Sequence, residues 1–323
     1  MKPSGRSPRL APRRVAAVLA AALVLPACSA LGGPGVRALS VGGWFASWRT
    51  HPDSVSLEGV DDVFYAFATP TAEGALDSIP HPDRLRALVA RGRADGFGVH
   101  LSVGGWNDGD DTAFETLAAD SASRREFARS VASVVEEYGL AGVDIDWEHP
   151  DPGPSAGNFV ALIRTVATAL APLGAELGIS VAGAWAWGGD GIRPEVFDLV
   201  DRVHVMAYSG GYGPHHSSYR YARSAIDLYL DMGAPAAKLY LGVPFFGLTP
   251  EGDSKLYREI LSDDPAAAEG DSAGAYYFNG EATLRRKVRL AAQEGLAGLI
   301  AWDLAADAAG PGSLLRVLVD EAK

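Results

Sequence analysis

Eight short apolar runs separated by amphipathic stretches constrain this chain more than any other feature. They fall at 39–45, 60–67, 98–103, 140–148, 177–184, 202–207, 239–243 and 297–302. Most are apolar at consecutive positions, the pattern of parallel strands covered on both faces. Helical spacing lies between them at 83–93, 120–138, 158–170, 221–232, 283–292 and 313–321, with a shorter helix at 194–199. In the helix at 120–138, Phe127, Val131, Val134 and Val135 form the apolar stripe, and Ser121 or Ser123 is placed to cap it. Eight strands, nearly all followed by helices, predict an α/β fold, a (β/α)8 TIM barrel, as a single domain over 37–323. A doubly wound open sheet is the alternative, but no phosphate-binding glycine turn follows the first strand and no internal repeat is visible.

The run Leu140-Ala141-Gly142-Val143-Asp144-Ile145-Asp146-Trp147-Glu148 breaks the apolar rule. Side chains alternate along a strand, so Asp144, Asp146 and Glu148 share one face while Val143, Ile145 and Trp147 share the other. Buried carboxylates cost several kcal/mol unless paired or protonated. A row of three on a buried strand therefore points to catalysis or to a metal rather than to a solvated edge.

The amino terminus reads as a targeting segment. Lys2, Arg6, Arg9, Arg13 and Arg14 precede an apolar run at 15–25 that is short for a bilayer span. The run ends in Leu25-Pro26-Ala27-Cys28, which resembles a bacterial lipoprotein cleavage box with Cys28 as the lipidated residue, and Arg13-Arg14 gives a twin-arginine look. The expected organisation is a signal peptide at 1–27, a Gly-rich tether at 28–36 and the barrel at 37–323, lipid-anchored outside the cytoplasm or secreted if Cys28 is not acylated. Cys28 is the only cysteine, so no disulfide is expected. The chain carries 28 Lys and Arg against 40 Asp and Glu; residues 1–27 hold five of the basic and none of the acidic ones, which leaves −17 on the remainder. That charge argues against nucleic acid and against a polybasic membrane surface. A monomer acting on a neutral ligand, touching a membrane only through Cys28, is the expectation.

In a TIM barrel, chemistry sits at the carboxyl ends of the strands. Gly104-Gly105-Trp106, Asp146-Trp147-Glu148, Trp185, Tyr208 and Trp302 all fall at such ends. Carboxylates mixed with aromatic rings suit carbohydrate, because rings stack on the apolar faces of sugars and a carboxyl group can protonate a glycosidic oxygen. At this point the sequence resembles a known family. The acidic strand is similar to the D-x-x-D-x-D-x-E signature of glycoside hydrolase family 18, the chitinases and their relatives. Ser102-Val103-Gly104-Gly105-Trp106 resembles the family's S-x-G-G, Met206-Ala207-Tyr208 its M-x-Y, and Gly242-Val243-Pro244-Phe245-Phe246-Gly247 its G-x-P-x-Y/F-G. The segment 298–302 resembles the closing strand, whose Trp floors the sugar subsite.

The resemblance implies cleavage of β-1,4 links next to N-acetylglucosamine, in chitin or chito-oligosaccharides, with retention and without an enzyme nucleophile. Glu148 is then the general acid and base, Asp146 supports the acetamido nitrogen, Tyr208 donates to the acetamido oxygen, and Asp144 shares a proton with Asp146. Trp302, Met206, Gly105 and Ser209 are the implied substrate-binding residues, and Trp106 and Trp185 are candidates for the same role, open between sugar stacking and packing. Neither a cofactor nor a metal is implied. Peptidoglycan and N-glycan cores are related substrates for an endo-β-N-acetylglucosaminidase of this mechanism. A non-catalytic lectin on the same barrel is the competing reading; such relatives typically lose the acidic Glu, which is present here.

Two positions depart from the family pattern. Ala141 replaces the first Asp of the signature and is expected deep in the barrel, and Ser209 stands after Tyr208 where the family usually carries Asp or Asn. Less negative field around Glu148 predicts a more acidic pH optimum than in relatives carrying both acids. The segment 246–283 is too short for a full-size α+β insertion, which predicts a shallow cleft. His215-His216 reads as a surface loop, and Asp108, Asp110 and Asp111 as a solvated turn. His149 either lines the cleft or packs. Trp44, Trp48 and Trp187 are open between packing and stacking, and Asn279 reads as a turn residue.

Overall fold

The computed structural model describes residues 38–183 and 191–323. Eight parallel strands close into a barrel. They are β1 (Ser40–Ala46), β2 (Asp62–Ala68), β3 (Gly98–Gly105), β4 (Gly142–Trp147), β5 (Glu176–Ala182), β6 (Arg202–Met206), β7 (Leu239–Pro244) and, after four short strands, β12 (Gly298–Trp302). The pairing runs β1-β12-β7-β6-β5-β4-β3-β2 and returns to β1, which rules out the open sheet.

The outer layer follows from the amphipathic stretches. Among the described residues it comprises α1 (Pro82–Asp95), α2 (Thr112–Ala119), α3 (Ser121–Tyr138), α4 (Pro154–Leu170), α5 (Tyr219–Asp231), α6 (Tyr257–Asp263), α7 (Glu281–Gln293) and α8 (Leu314–Ala322). Helix α3 buries Phe127, Ala128, Val131 and Val135. Its cap is Asp120 rather than a serine: the carboxylate accepts from the amides of Ala122 and Ser123 at 2.9 and 2.8 Å, as suits an acid at a helix amino terminus. Gly139, at φ 67°, ends the helix in the left-handed conformation. Helix α2 has no counterpart in the sequence reading, and the helix expected at 194–199 is only a 3₁₀ turn, Pro194–Val196.

The segment after β7 holds a small module. Strands β8 (Phe246–Leu248), β9 (Ser254–Leu256), β10 (Ser272–Ala273) and β11 (Tyr276–Tyr277) form an antiparallel sheet in the order β10-β11-β8-β9, with α6 between β9 and β10. Strands this short escape pattern reading because two or three residues show no periodicity.

The outward residues of β4 behave as predicted. Val143, Ile145 and Trp147 are buried against the helices. The Trp147 ring stacks on Phe114 at 5.3 Å and meets Phe159 edge-on, and its indole donates to Asp111 at 2.9 Å. Asp111 is therefore a helix-to-strand tie, not a member of a solvated turn. The barrel interior is polar in layers, and the lowest layer pairs its charges, as buried charges require. Asp62 meets His100 at 2.9 Å and Arg202 at 2.6 Å, and Arg202 also reaches Glu176 at 2.7 Å.

Candidate active site

Parallel pairing brings the acidic strand against the Ser-Val-Gly-Gly segment in fixed register: Ser102 opposite Asp144, Gly104 opposite Asp146 and Gly105 opposite Trp147. Gly104 has φ 118°, and a Cβ there would fall 2.2 Å from the Asp146 carbonyl. Only glycine lets the two strands pass this closely. At Gly105, φ 88°, a Cβ would enter the Phe67 ring at 2.7 Å. Gly105 thus serves the packing of Phe67, which stacks on Trp302 at 5.5 Å, rather than lining the cleft.

At the carboxyl ends of the strands a cleft of about 640 Å³ opens. Asp146, Glu148, Met206, Tyr208, Ser209, Trp106 and Trp302 line it, together with Phe67, Trp48, Trp44 and His149. Trp106 and Trp48 stand at the rim, 56% and 50% exposed. Trp44 forms part of the floor but is almost fully buried, its ring packed edge-on to Trp302 at 5.9 Å. Trp185 and Trp187 lie outside the described residues, as does Cys28. Phe67 is a cleft residue that sequence reasoning missed; its place at the end of the second strand, like that of Trp106 on the third, was the available signal.

The three acids differ in surroundings. Asp144 is fully buried and saturated: it accepts from Ser102 Oγ at 2.9 Å, Ser180 Oγ at 2.8 Å and His204 Nδ1 at 3.0 Å. Burial alone would raise its pKa, but His204 and the two hydroxyls outweigh burial and hold it below the ordinary carboxylate value. Asp146 has no such support, and its Oδ1 has no hydrogen-bond partner among the described residues. Burial, then the charges of Glu148 and Asp144, push its pKa far up. Glu148 is 16% exposed, and burial followed by the Asp144 charge raises its pKa to about 7. A carboxyl that keeps its proton near neutrality can donate it to a bound oxygen. Tyr208 is raised well above 10, first by burial and then by Asp146, so its hydroxyl stays a donor. His149 stands 3.6 Å from Glu148 and faces the cleft, and burial lowers its pKa.

Several residues sit elsewhere than expected. Ala141 is exposed at the amino-terminal mouth of β4, not deep in the barrel, so its missing carboxylate takes nothing from the layer around Asp144. The nearby interior position is filled by the Asp62–His100 pair described above. Ser209 lines the cleft with φ 53°. Its amide donates to Nδ1 of His216 at 3.2 Å, and His216 is buried, packed on Phe246 at 4.7 Å. The surface-loop expectation therefore holds for His215 alone. Asn279 is also buried: it donates to the Ser217 carbonyl at 3.0 Å and accepts from Lys287 at 2.6 Å, so the α7 lysine anchors the loop that follows Tyr208. At the closing strand, Asp303 pairs with Arg49 at 2.8 Å beside Trp302.

Comparison with known proteins agrees with this geometry. A family model described as glycosyl hydrolases family 18 matches residues 40–307. Endochitinase 1 of Metarhizium robertsii is 27% identical over 269 residues, covering 67% of this chain and 63% of the relative. A chitinase of Bacteroides thetaiotaomicron superposes with a TM-score of 0.80 at 22% identity, over 88% of this chain and 96% of that one. A chitinase-like agglutinin from Robinia pseudoacacia superposes with a TM-score of 0.77 at 21% identity, over 87% and 99%. The match thus spans 63% of the length of the first curated relatives. The same barrel carries both a chitinase and an agglutinin, so the fold alone does not separate turnover from binding.

Proposed function

The chain belongs to glycosyl hydrolase family 18, and from that premise we propose that it hydrolyses β-1,4 links next to N-acetylglucosamine, in chitin or chito-oligosaccharides, by substrate-assisted catalysis. The observation that carries this reading is Glu148: a carboxyl raised to about 7 in a cleft that Asp146, Tyr208 and Trp302 also line. The Glu148 carboxyl donates its proton to the glycosidic oxygen as the acetamido oxygen of the sugar on the non-reducing side of the bond attacks its anomeric carbon. The C–O bond breaks, the leaving sugar keeps the proton, and an oxazolinium ion remains. Asp146 receives the acetamido N–H, and Tyr208 donates its hydroxyl to the acetamido oxygen. Trp302 stacks beneath the sugar, with Met206 beside it and Trp106 at the rim as a platform for the neighbouring residue. Glu148, now a carboxylate, takes a proton from water, whose oxygen attacks the same carbon from the face the leaving group occupied. The product keeps its configuration, and Glu148 recovers its proton.

A fluorogenic chitobioside assayed with the wild type and with Glu148→Gln tests the reading. General acid catalysis contributes roughly 10²–10⁴-fold, so turnover lost to that extent supports it. Binding without turnover in the wild type supports the lectin reading instead. Cleavage confined to peptidoglycan or N-glycan substrates would move the assignment to an endo-β-N-acetylglucosaminidase. We also propose that the chain is exported and held to a bacterial membrane by a lipid on Cys28, acting as a monomer. Metabolic labelling with a palmitate analogue, lost on Cys28→Ala, tests the anchor, and sedimentation tests the monomer.

A further inference from the structure

The layer beneath the cleft contains a group to which the mechanism above gives no part. His204 on β6 is fully buried and has one hydrogen-bond partner among the described residues, Asp144. Its other nitrogen, Nε2, has none. The ring sits in an aromatic sleeve formed by Phe64 at 4.6 Å, Tyr240 at 5.4 Å and Trp44 at 5.6 Å, each nearly perpendicular to it. An ionised Asp144 can only accept, so the proton on Nδ1 is aimed at its carboxylate, and Nε2 finds no second partner in the sleeve.

The contact is built into the fold. Gly178 lies opposite Asp144 in the β4–β5 register, and a Cβ there would come 3.1 Å from the Asp144 carboxylate and 3.2 Å from the His204 ring. Glycine at that position leaves the space in which the two side chains meet. Asp144 thereby receives donors from three strands, Ser102 of β3, Ser180 of β5 and His204 of β6. Its other charged neighbours are Asp146 and Glu148 on its own strand. On the far side of Phe64, His100 is engaged by Asp62, which Arg202 neutralises.

We propose that His204 is a positioning residue: by donating to Asp144 it keeps that carboxylate ionised, fixes one permanent negative charge beneath Glu148, and leaves the proton of the aspartate pair on Asp146. This rests on the hydrolase reading for its consequence in catalysis, but not for its electrostatics. With the donor gone, a fully buried Asp144 takes up a proton and its charge disappears from beneath Glu148. The acid then loses its proton at lower pH.

The test compares His204→Phe, which keeps an aromatic ring but cannot donate, with His204→Asn, whose amide can donate in place of Nδ1. Ser180→Ala removes a lesser donor without touching the sleeve. Two readouts are taken: the basic limb of kcat/KM on a fluorogenic chitobioside, and the pH at which the thermal midpoint of the unliganded protein stops falling as pH rises. In the wild type both are expected near 7, where Glu148 gives up its proton in the fold. In His204→Phe both move down by about one pH unit or more, which a tenfold change in Glu148 ionisation represents. Ser180→Ala moves them the same way by less, and Asn restores them. Unchanged limbs in both the Phe and Ser180→Ala proteins overturn the proposal, as does an Asn protein that behaves like Phe. If the wild type turns nothing over, the hydrolase reading fails while the stability readout still decides the role of His204.

Discussion

Replacing Glu148 by Gln separates catalysis from stability in one protein. In the fold the carboxyl holds its proton up to about pH 7, whereas its ordinary value is 4.5. A folded-state value above the unfolded one means stability that is present at low pH and is lost as pH rises from about 4.5 through about 7. The gap of about 2.5 on the pH scale, at 1.36 kcal/mol for each step, makes the ionised side chain cost about 3 kcal/mol above pH 7. The side chain is only 16% exposed, so little of this is screened by solvent. Gln has the same shape and no charge at any pH, so the variant escapes the cost. Thermal unfolding should show the two proteins alike at pH 4, and the variant more stable at pH 9 by roughly 5 °C or more for a domain of this size. Turnover of a chitobioside should fall by roughly 10²–10⁴-fold in the same sample. Equal midpoints at pH 9, or the same difference at pH 4 and pH 9, would refute the claim that Glu148 is held protonated by the fold.

Other substitutions address the remaining parts of the site. Tyr208→Phe removes the hydroxyl that meets the acetamido oxygen and should lower kcat by roughly 10²-fold, the effect of losing one donor to a developing charge, with little change in KM. Trp106 is exposed at the rim, so Trp106→Ala should raise KM for longer oligosaccharides while leaving stability within about 0.5 kcal/mol; an unchanged KM removes it from the binding surface. Ser209 lines the cleft in a left-handed backbone conformation that Asp tolerates. Ser209→Asp should therefore fold, raise the pKa of Glu148 and move the basic limb of kcat/KM upward, whereas Ala141→Asp, at an exposed site, should leave it in place.

The barrel was legible because most of its strands are runs long enough to show apolarity on both faces, and because the interrupting helices carry a clear stripe. The acidic row was legible because strand alternation alone places Asp144, Asp146 and Glu148 on one face. What escaped was set by partners distant in sequence. His204 reads as one polar residue inside an apolar run, and only the closed barrel shows it 60 residues away against Asp144. Arg49 and Asp303, 254 positions apart, meet only because β1 and β12 are neighbours in the closed barrel. His216 looked exposed because its flanking residues are polar, yet the turn after Tyr208 folds it under Phe246. Ala141 was misplaced for a local reason: it precedes the first residue of β4 and faces solvent, so the spacing of the signature did not carry it inward.

Substrate-assisted hydrolysis with Glu148 as acid and base is reported most directly by the anomeric configuration of the first product. Proton NMR of chitotetraose cleavage, recorded in the first minutes before mutarotation, resolves the two anomers of the newly formed reducing end. Substrate-assisted hydrolysis predicts the β-anomer in excess, decaying slowly to the equilibrium mixture. An initial excess of the α-anomer would contradict it, because it would mean direct attack of water on the opposite face of the sugar.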